Sequence, residues 1–288
     1  MKILLIGCKG QLGHALAESA PGDVDLSGLD LPELDITDAA AVLAGCRELH
    51  PEVIVNAAAY TAVDRAETDV AQASAVNVAG ARNIALAARD TGARIIHIST
   101  DFVFDGDSSA PYKTDSVTNP LSVYGRSKRD GELAVLEALP GAGVVVRSSW
   151  LYSKTGNNFV RTMLRLMSER DELGIVADQF GSPTWADSLA ETVWGFVALP
   201  EVSGLFHWCD SGETSWYEFA LAIQSEALAL GLLEKRIPLH AIKTADYPAA
   251  ATRPRYSVLD CATTHAAINR QPVDWRLNLH QMLKGMAR

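Results

Sequence analysis

Short apolar runs alternate with helical stretches through the first half of the chain. The runs have the length of β-strands, and four of the five are rich in Val or Ile: residues 3–6, 24–29, 53–56, 94–98 and 144–147. Between them lie Ala- and Leu-rich segments with helical spacing: residues 12–20, 39–49, 70–89 and 123–139. Strands buried on both faces are apolar almost throughout, so this order predicts right-handed βαβ units and a parallel sheet with helices on both sides.

The alternation loosens after about residue 150. Helices are predicted at residues 158–168, 185–199, 215–231 and 277–286, and short strands at 174–176, 205–208 and 239–242. Ser215 and Glu218 have the spacing of a capping box, and Asp274 can cap the last helix. The Pro-containing stretch 247–254 is predicted to be a loop. We therefore predict an α/β fold with a doubly wound parallel sheet over residues 1–150. A smaller lobe over residues 151–288 follows, with some segments returning to the first domain.

Charge and composition exclude several classes of partner. The 288 residues carry 25 basic and 35 acidic side chains, a net charge of −10, and no run of Lys or Arg compensates. Nucleic-acid grooves and anionic membrane surfaces need clustered positive charge, so neither partner is expected. No uncharged apolar run reaches the roughly 20 residues of a membrane span. The four cysteines are far apart in sequence and lack metal-ligand spacing, which favours reduced thiols in a cytoplasmic protein.

Three glycines, Gly7, Gly10 and Gly13, follow the first predicted strand and open the first predicted helix. Gly7 allows a tight turn, Gly10 lets the backbone approach a pyrophosphate, and Gly13 allows helix and strand to pack closely. The amides and the dipole of the helix N-terminus favour phosphate. Loops also collect glycine for turns alone, but the position after the first strand favours dinucleotide binding in a Rossmann-type fold.

An acidic residue, Asp30, ends the second predicted strand. A carboxylate here can accept hydrogen bonds from the adenosine ribose and would repel a 2′-phosphate, which favours NADH over NADPH. Lys9 and Arg82 could still accommodate that phosphate, so both cofactors stay open. The alternative interpretation of Asp30 is a solvated loop carboxylate.

Tyr124 and Lys128 are four residues apart on a predicted helix and therefore share one face. A nearby ammonium is expected to stabilise the phenolate and to lower the pKa of the tyrosine. Thr100 ends the fourth predicted strand, at the edge of a parallel sheet where ligands bind, and its hydroxyl can donate to a substrate carbonyl. Spacing alone fits an ordinary exposed Tyr and Lys. The combination with the glycine loop and Thr100 favours an acid–base site.

On these residues the chain resembles the extended short-chain dehydrogenases/reductases, and within them the dTDP-4-dehydrorhamnose reductase family. The resemblance covers nearly the whole chain. The matching segments are residues 7–13, 56–67, 99–104, 123–128, 147–152, 156–159, 178–184 and 252–254. Many nucleotide-sugar enzymes share the first and the fourth of these segments. Residues 56–67 and 179–184 are the more discriminating ones.

The resemblance implies that NADH or NADPH reduces the 4-keto group of a dTDP-sugar substrate. Tyr124 would donate the proton, Lys128 would hold the nicotinamide ribose, and Thr100 would contact the sugar. The further cofactor positions implied are Gly7, Gly10, Gln11, Leu12, Gly13, Asp30, Asp35, Ile36, Ala59, Tyr60 and Thr61. The further substrate positions implied are Asp101, Trp150, Asn158, Gln179, Thr184 and Arg253. Asp64 and Glu67 are instead expected to cap and solvate the helix that follows them.

Other functions and assemblies stay open at this point. Some members of the family dimerise through magnesium held by glutamates, but the first of those positions is Ala15 here, so no metal site is expected and a monomer or a homodimer is compatible. A cofactor-binding regulatory subunit, such as the β subunit of methionine adenosyltransferase, uses the same scaffold without reduction. A nucleotide-sugar epimerase or dehydratase could use Asp101 as a base. The presence of Thr100, Tyr124 and Lys128 favours an enzyme.

Overall fold

A computed structural model describes residues 1–287 of the chain. Its strands are β1 (Lys2–Ile6), β2 (Asp25–Leu29), β3 (Val53–Asn56), β4 (Arg94–Thr100), β5 (Gly143–Ser148), β6 (Leu151–Tyr152), β7 (Leu173–Val176), β8 (Phe180–Gly181), β9 (Thr184–Trp185), β10 (Gly204–Trp208), β11 (Thr214–Ser215) and β12 (Leu239–Ile242). Its α-helices are α1 (Gln11–Glu18), α2 (Ala39–Leu49), α3 (Val63–Ala66), α4 (Val70–Ser74), α5 (Ala81–Thr91), α6 (Val123–Ala138), α7 (Phe159–Glu169), α8 (Ala186–Val197), α9 (Trp216–Ala229), α10 (Ala262–Ile268) and α11 (Trp275–Met286). A π-helical segment (Ala75–Gly80) joins α4 to α5, and 3₁₀ turns lie at Asp101–Val103 and Thr244–Asp246.

Six parallel strands form the central sheet in the order β2-β1-β3-β4-β5-β10. The order reverses direction between β1 and β3, because β2 lies outside β1 while the later strands continue on the other side. In such sheets ligands bind at the carboxyl ends of the strands, at the reversal. The predicted doubly wound Rossmann-type sheet is confirmed, and the loops after β1, β3 and β4 lie at this edge.

Apolar side chains cover both faces of the sheet. Helices α1 and α8 pack on one face, where Leu16 and Val193 join a buried cluster with Trp208. Helices α2, α5 and α6 pack on the other face, where Ile84 and Val135 are buried. All six residues of β5 are buried, as expected for a strand with helices on both sides.

A separate apolar core lies in the second half of the chain. It is built from α7, α9 and α11 around Met163, Phe219 and Leu279, beside the parallel pair β7–β12. Ser215 and Glu218 form the predicted capping box of α9, and Asp274 caps α11. Strand β10 leaves this half and completes the large sheet next to β5. The division of the chain at residue 150 stays a prediction. Within residues 1–287, no helix combines the length and apolarity that crossing a bilayer requires.

The predicted helix 70–89 is interrupted, and this part of the prediction is wrong. The π-helical segment places Asn77 so that its Oδ1 accepts from the Tyr60 amide at 2.8 Å and its Nδ2 donates to the Tyr60 carbonyl at 3.1 Å. A Cβ on Gly131 of α6 would lie 2.1 Å from the Asn77 carbonyl oxygen. Bulges of this kind are frequent at functional sites. Contacts with residues distant in sequence therefore accompany the π-helical geometry around Asn77.

All four cysteines are free, and the fold makes two of them neighbours. Cys209 and Cys261 are buried, and their sulfur atoms lie 3.6 Å apart. Hydrogen bonding between the two thiols and burial raise the pKa of Cys209 well above its usual value. Because Cys209 and Cys261 are far apart in sequence, their proximity was not predicted.

Candidate active site

The glycine loop after β1 is a close-packed turn. Gly7 has φ +85°, and a Cβ on it would lie 2.5 Å from the Ala58 amide nitrogen. A Cβ on Gly13 would lie 2.2 Å from the Gly7 carbonyl oxygen, whereas one on Gly10 would meet only that oxygen, at 3.3 Å. No side chain caps α1, which begins after Gly10. Leu12 is buried in the core, so its backbone amide alone can face a ligand. This cradle of glycines at an uncapped helix N-terminus fits a dinucleotide pyrophosphate.

Asp30 and Lys9 are held by neighbouring groups at the end of β2. The Asp30 carboxylate accepts from the Lys9 amide at 2.9 Å and from the Leu31 amide at 2.8 Å. The Lys9 ammonium donates to the Leu31 carbonyl at 2.7 Å and to Glu33 at 2.8 Å. Lys9, one of the two cations that could accommodate a 2′-phosphate, is therefore paired with the Glu33 carboxylate.

Asp35 and Ile36 follow in the same loop. Asp35 accepts from both the amide and the hydroxyl of Thr37, and these hydrogen bonds lower the pKa of its carboxyl. Ile36 is buried against Gly80, where a Cβ would lie 2.7 Å from the isoleucine side chain. The Asp35 carboxylate thus orders its own turn.

The loop after β3 contains Ala59, Tyr60 and Thr61. Asn77 fixes the backbone of Tyr60, as described above, and the Tyr60 hydroxyl donates to Asp69 at 3.1 Å. Ala59 is half-buried and Thr61 is exposed, both at the carboxyl edge of the sheet. Asn77 was missed by the sequence analysis, since a single Asn inside a helical stretch gives no signal of its long-range partner.

Local contacts fix the start of α6. Ser122 caps the helix by accepting from the Gly125 amide at 3.0 Å, and Glu67 accepts from the Val123 amide at 2.7 Å. A Cβ on Gly125 would lie 2.2 Å from the Phe102 carbonyl oxygen, so the helix rests directly on the turn after β4. The prediction that Glu67 caps the helix that follows it is wrong, because its carboxylate accepts from the first amide of α6.

Tyr124 and Thr100 are brought together at the end of β4. The phenol is 9% exposed, and burial raises its pKa to about 12. Hydrogen bonding to Thr100 lowers that pKa and the charge of Asp101 raises it further. The predicted lowering by Lys128 is wrong, because desolvation of the phenolate dominates. The Tyr124 side chain is therefore protonated at neutral pH.

Lys128 lies one helical turn below Tyr124 and is 2% exposed. Its ammonium donates to the Ile98 carbonyl at 2.7 Å. Burial lowers the pKa of Lys128 to about 8, while the charge of Glu132 raises it. The spacing of four residues thus places phenol and ammonium on the face of α6 that covers the carboxyl end of β4.

Asp101 is buried directly behind Thr100. Its Oδ1 accepts from the Thr100 hydroxyl at 3.0 Å, and its Oδ2 has no partner among the described residues. Burial raises the pKa of Asp101 to about 6. The Asp101 carboxyl therefore keeps its proton to a higher pH than an exposed aspartate does.

Trp150 follows β5 in an unusual backbone conformation, with φ +47°. Its indole stacks on Trp216, with ring centroids 3.5 Å apart and planes 7° from parallel. A Cβ on Gly181 would lie 2.6 Å from the Trp150 ring. A non-glycine residue in the left-handed region is often found at ligand sites. Trp216 was missed by the sequence analysis, because nothing in its position indicates the stacking partner.

The remaining predicted substrate positions do not all lie together. Asn158 caps α7, and its Nδ2 donates to Gln11 Oε1 at 2.8 Å, which joins the second half to the helix of the glycine loop. Thr184 is fully buried. Gln179 and Arg253 line a cavity of about 180 Å³, together with Thr244, Tyr247, Ala249, Ala251 and Thr252.

Arg253 is paired with Asp64 rather than free. Its Nη2 donates to Asp64 Oδ2 at 2.6 Å and its Nη1 donates to Oδ1 at 3.1 Å. The same carboxylate accepts from the Ala251 amide. The prediction that Asp64 caps the following helix is wrong, because the acid orders the loop that carries Arg253.

A Rossmann sheet with a glycine loop after β1 and a buried Tyr–Lys pair at the end of β4 defines a class of protein, the short-chain dehydrogenases/reductases. Comparison with known proteins then indicates the family within this class. The family described as the RmlD substrate binding domain matches residues 1–288. A dTDP-4-dehydrorhamnose reductase of Aggregatibacter actinomycetemcomitans is 43% identical over 282 residues, 96% of each chain. The Escherichia coli K12 enzyme of the same name is 38% identical, covering 98% of this chain and 97% of that one.

Solved structures agree with this result. A dTDP-4-dehydrorhamnose reductase of Bacillus anthracis in complex with NADP superposes with a TM-score of 0.93 at 36% identity, over 98% of both chains. A Clostridium acetobutylicum ortholog gives 0.94 at 37% identity over the full length of both. The chain belongs to the dTDP-4-dehydrorhamnose reductase family of NAD(P)H-dependent oxidoreductases. The predicted family, enzyme class and cofactor class are confirmed.

Proposed function

We propose that the protein reduces the 4-keto group of dTDP-4-dehydro-6-deoxy-L-mannose to dTDP-L-rhamnose, with Tyr124 as the proton donor. The observation that carries the proposal is the buried phenol of Tyr124 beside the Thr100 hydroxyl at the carboxyl end of β4. The family relationship supplies the substrate class, since the relatives are named for this reaction.

The glycine loop and Lys128 are proposed to hold the cofactor. The amides of Gln11 and Leu12 face the pyrophosphate at the N-terminus of α1, and the Lys128 ammonium donates to the nicotinamide ribose. When bound, NAD(P)H supplies the hydride. Asp30 accepts from the adenosine ribose. Asp35, Ile36 and residues 59–61 line the same edge of the sheet.

Tyr124 is proposed to complete the reduction by moving one proton. Its hydroxyl donates to the substrate carbonyl oxygen, and the proton transfers as negative charge develops on that oxygen. Because its pKa is about 12, the phenol carries this proton throughout the neutral range. Rotation of the Thr100 hydroxyl away from Asp101 lets it donate a second hydrogen bond to the same oxygen, which orients the carbonyl. The Lys128 charge stabilises the phenolate that remains.

The second half of the chain is proposed to hold the dTDP-sugar. Trp150 and Asp101 contact the hexose, and Asn158 and Thr184 are further substrate contacts. Gln179 and Arg253 hold the nucleotide diphosphate at their shared cavity. Asp64 orients the guanidinium of Arg253, whose remaining N–H groups donate to phosphate.

The proposal is tested with the purified protein and the dTDP-4-dehydro sugar, which enzymes acting on dTDP-glucose can generate. We expect rapid loss of NADPH or NADH absorbance and formation of dTDP-L-rhamnose. Cofactor binding without turnover of this sugar would contradict the reaction and favour the regulatory-subunit alternative. NAD⁺ that stays bound through purification would instead support an epimerase or dehydratase.

Replacing Lys128 by Met tests the proposed ribose contact. Hydrogen bonds to charged groups contribute about 1.5–3 kcal/mol, so we expect affinity for NADPH to fall at least about tenfold. Titration of cofactor fluorescence measures the change. Lys284→Met, an exposed lysine on α11, is the matched control and should bind NADPH like the wild type. Unchanged affinity in Lys128→Met would remove this residue from the cofactor site.

A further inference from the structure

Two charged side chains of α6 reach consecutive residues of β4. Tyr124, Lys128 and Glu132 succeed one another at intervals of four residues and so share one helix face. The Lys128 ammonium donates to the Ile98 carbonyl at 2.7 Å, and Glu132 Oε1 accepts from the Ser99 hydroxyl at 2.5 Å. The face that carries the phenol is therefore anchored at two adjacent points of the sheet.

Arg147 on β5 binds the Glu132 carboxylate as well. Its Nε donates to Glu132 Oε1 at 2.8 Å and its Nη2 donates to Oε2 at 2.7 Å. Ser99 and Arg147 are register partners of the β4–β5 pair, so one carboxylate bridges both strands. Ser99 is 6%, Glu132 2% and Arg147 3% exposed. A buried ion pair of this kind contributes little net stability compared with apolar residues, which leaves its function to be explained.

The charged groups around Lys128 indicate how the Glu132 carboxylate acts on it. Lys128 and Arg147 are two buried cations, and Glu132 is the anion whose charge acts on Lys128. His97 on β4 is neutral, since burial and the Lys128 charge hold its pKa well below the usual range. His207 on β10 is neutral as well, because burial and Arg147 lower its pKa to about 3. Two further titratable groups lie near the end of β4, one on α6 and one in the turn after the strand.

Those two groups are Tyr124 and Asp101. The phenol of Tyr124 is uncharged at neutral pH, and Asp101 acts on Tyr124. Removal of Glu132 would therefore leave two buried positive charges with no carboxylate between them. In a region of low dielectric, the one that can lose a proton is Lys128, since Arg stays protonated.

We propose that Glu132 is a positioning residue for the reaction, whose carboxylate, fixed by Arg147 and Ser99, keeps Lys128 an ammonium ion at the Ile98 carbonyl below Tyr124. The catalytic consequence rests on the proposed function, which assigns Lys128 and Tyr124 to the reaction. The charge coupling itself does not depend on it. An ion pair that only fastened α6 to the sheet would affect folding and leave the protonation of Lys128 unchanged.

The direct test follows the ε-carbon of Lys128 by NMR as a function of pH, in full-length protein labelled at its eight lysines. Lys128→Met assigns the signal. In the wild type we expect its midpoint near pH 8. In Glu132→Gln the midpoint should fall by about one pH unit or more, the size expected when a nearby opposite charge is lost. A midpoint equal to that of the wild type would overturn the proposal.

Three further variants keep the test independent of any loss of folding in Glu132→Gln. Arg147→Met removes a cation near Lys128 and keeps the carboxylate, so the midpoint should stay above that of Glu132→Gln, and a midpoint as low as that of Glu132→Gln would overturn the proposal. Ser99→Ala removes a neutral hydroxyl and should leave the midpoint close to that of the wild type. Glu132→Asp restores the charge and should restore the midpoint, whereas a value as low as that of Glu132→Gln would count against the charge.

The pH dependence of NADPH turnover extends the test to the reaction. The alkaline limb of kcat/KM should move to lower pH in Glu132→Gln and return towards the wild type in Glu132→Asp. Because the NMR titration needs no substrate, the two hypotheses fail separately. A shifted midpoint in a protein that does not reduce the sugar overturns the proposed function alone. Normal reduction with an unshifted midpoint overturns the role of Glu132 alone.

Discussion

Replacing Tyr124 by Phe is expected to lower kcat by about 10² or more, the usual effect of losing a general acid. The ring should keep its place, since its edge-to-face contact with Phe102, at 5.6 Å between centroids, does not involve the hydroxyl. Affinity for NADPH should therefore stay close to that of the wild type. Steady-state kinetics and a cofactor titration on the same preparation separate the two quantities.

Tyr217→Phe is a matched control for that experiment. It also removes one phenolic hydroxyl, which donates to the Leu239 carbonyl at 3.3 Å in the second half of the chain. We expect kcat of this variant to be close to that of the wild type. If Tyr124→Phe reduced the sugar as fast as the control, another group would have to supply the proton.

Gly13→Ala is expected to lower the free energy of unfolding by about 3 kcal/mol, the upper range for overpacking, or to prevent folding altogether. The new Cβ would lie 2.2 Å from the Gly7 carbonyl oxygen and 2.6 Å from the Cys8 backbone. Backbone atoms cannot move aside as a flexible side chain can. Chemical denaturation of the purified variant measures the loss.

Gly10→Ala is the comparison that separates folding from binding. Its Cβ would lie 3.3 Å from the Gly7 carbonyl oxygen, so the chain should fold with a free energy of unfolding near that of the wild type. The methyl group would occupy space that the pyrophosphate needs, and affinity for NADPH should fall. Equal unfolding midpoints for Gly13→Ala and the wild type would show that the turn can relax after all.

Local sequence predicted the elements whose cause is local. Strand β3 and helix α2 have the predicted bounds, because β3 is buried along its whole length and α2 begins directly after Asp38, which caps it in the structure. The interruption between α4 and α5 could not be predicted. It depends on the bonds of Asn77 to the Tyr60 backbone and on the close approach of Gly131, both distant in sequence.

The same distinction applies to the site. Residue spacing predicted that Tyr124 and Lys128 share one face of α6, and strand order predicted that Thr100 ends β4, because helix and sheet geometry fix these relations. The direction of the Tyr124 pKa was predicted wrongly, since spacing says nothing about burial. The pairs Glu132–Arg147 and Asp64–Arg253 join residues from different elements. Only the folded arrangement shows that these charges meet.

The position of β10 has a consequence for biosynthesis. β5 leaves the ribosome well before β10, which supplies its outer neighbour in the sheet. Until then the amides and carbonyls of that edge are unpaired, a state that invites pairing with other chains. Phe206 and Trp208, which share a buried apolar cluster with Val144 and Val146, are also still missing. During translation, the outer edge of β5 and the apolar residues beside it therefore stay exposed until the second half of the chain has been made.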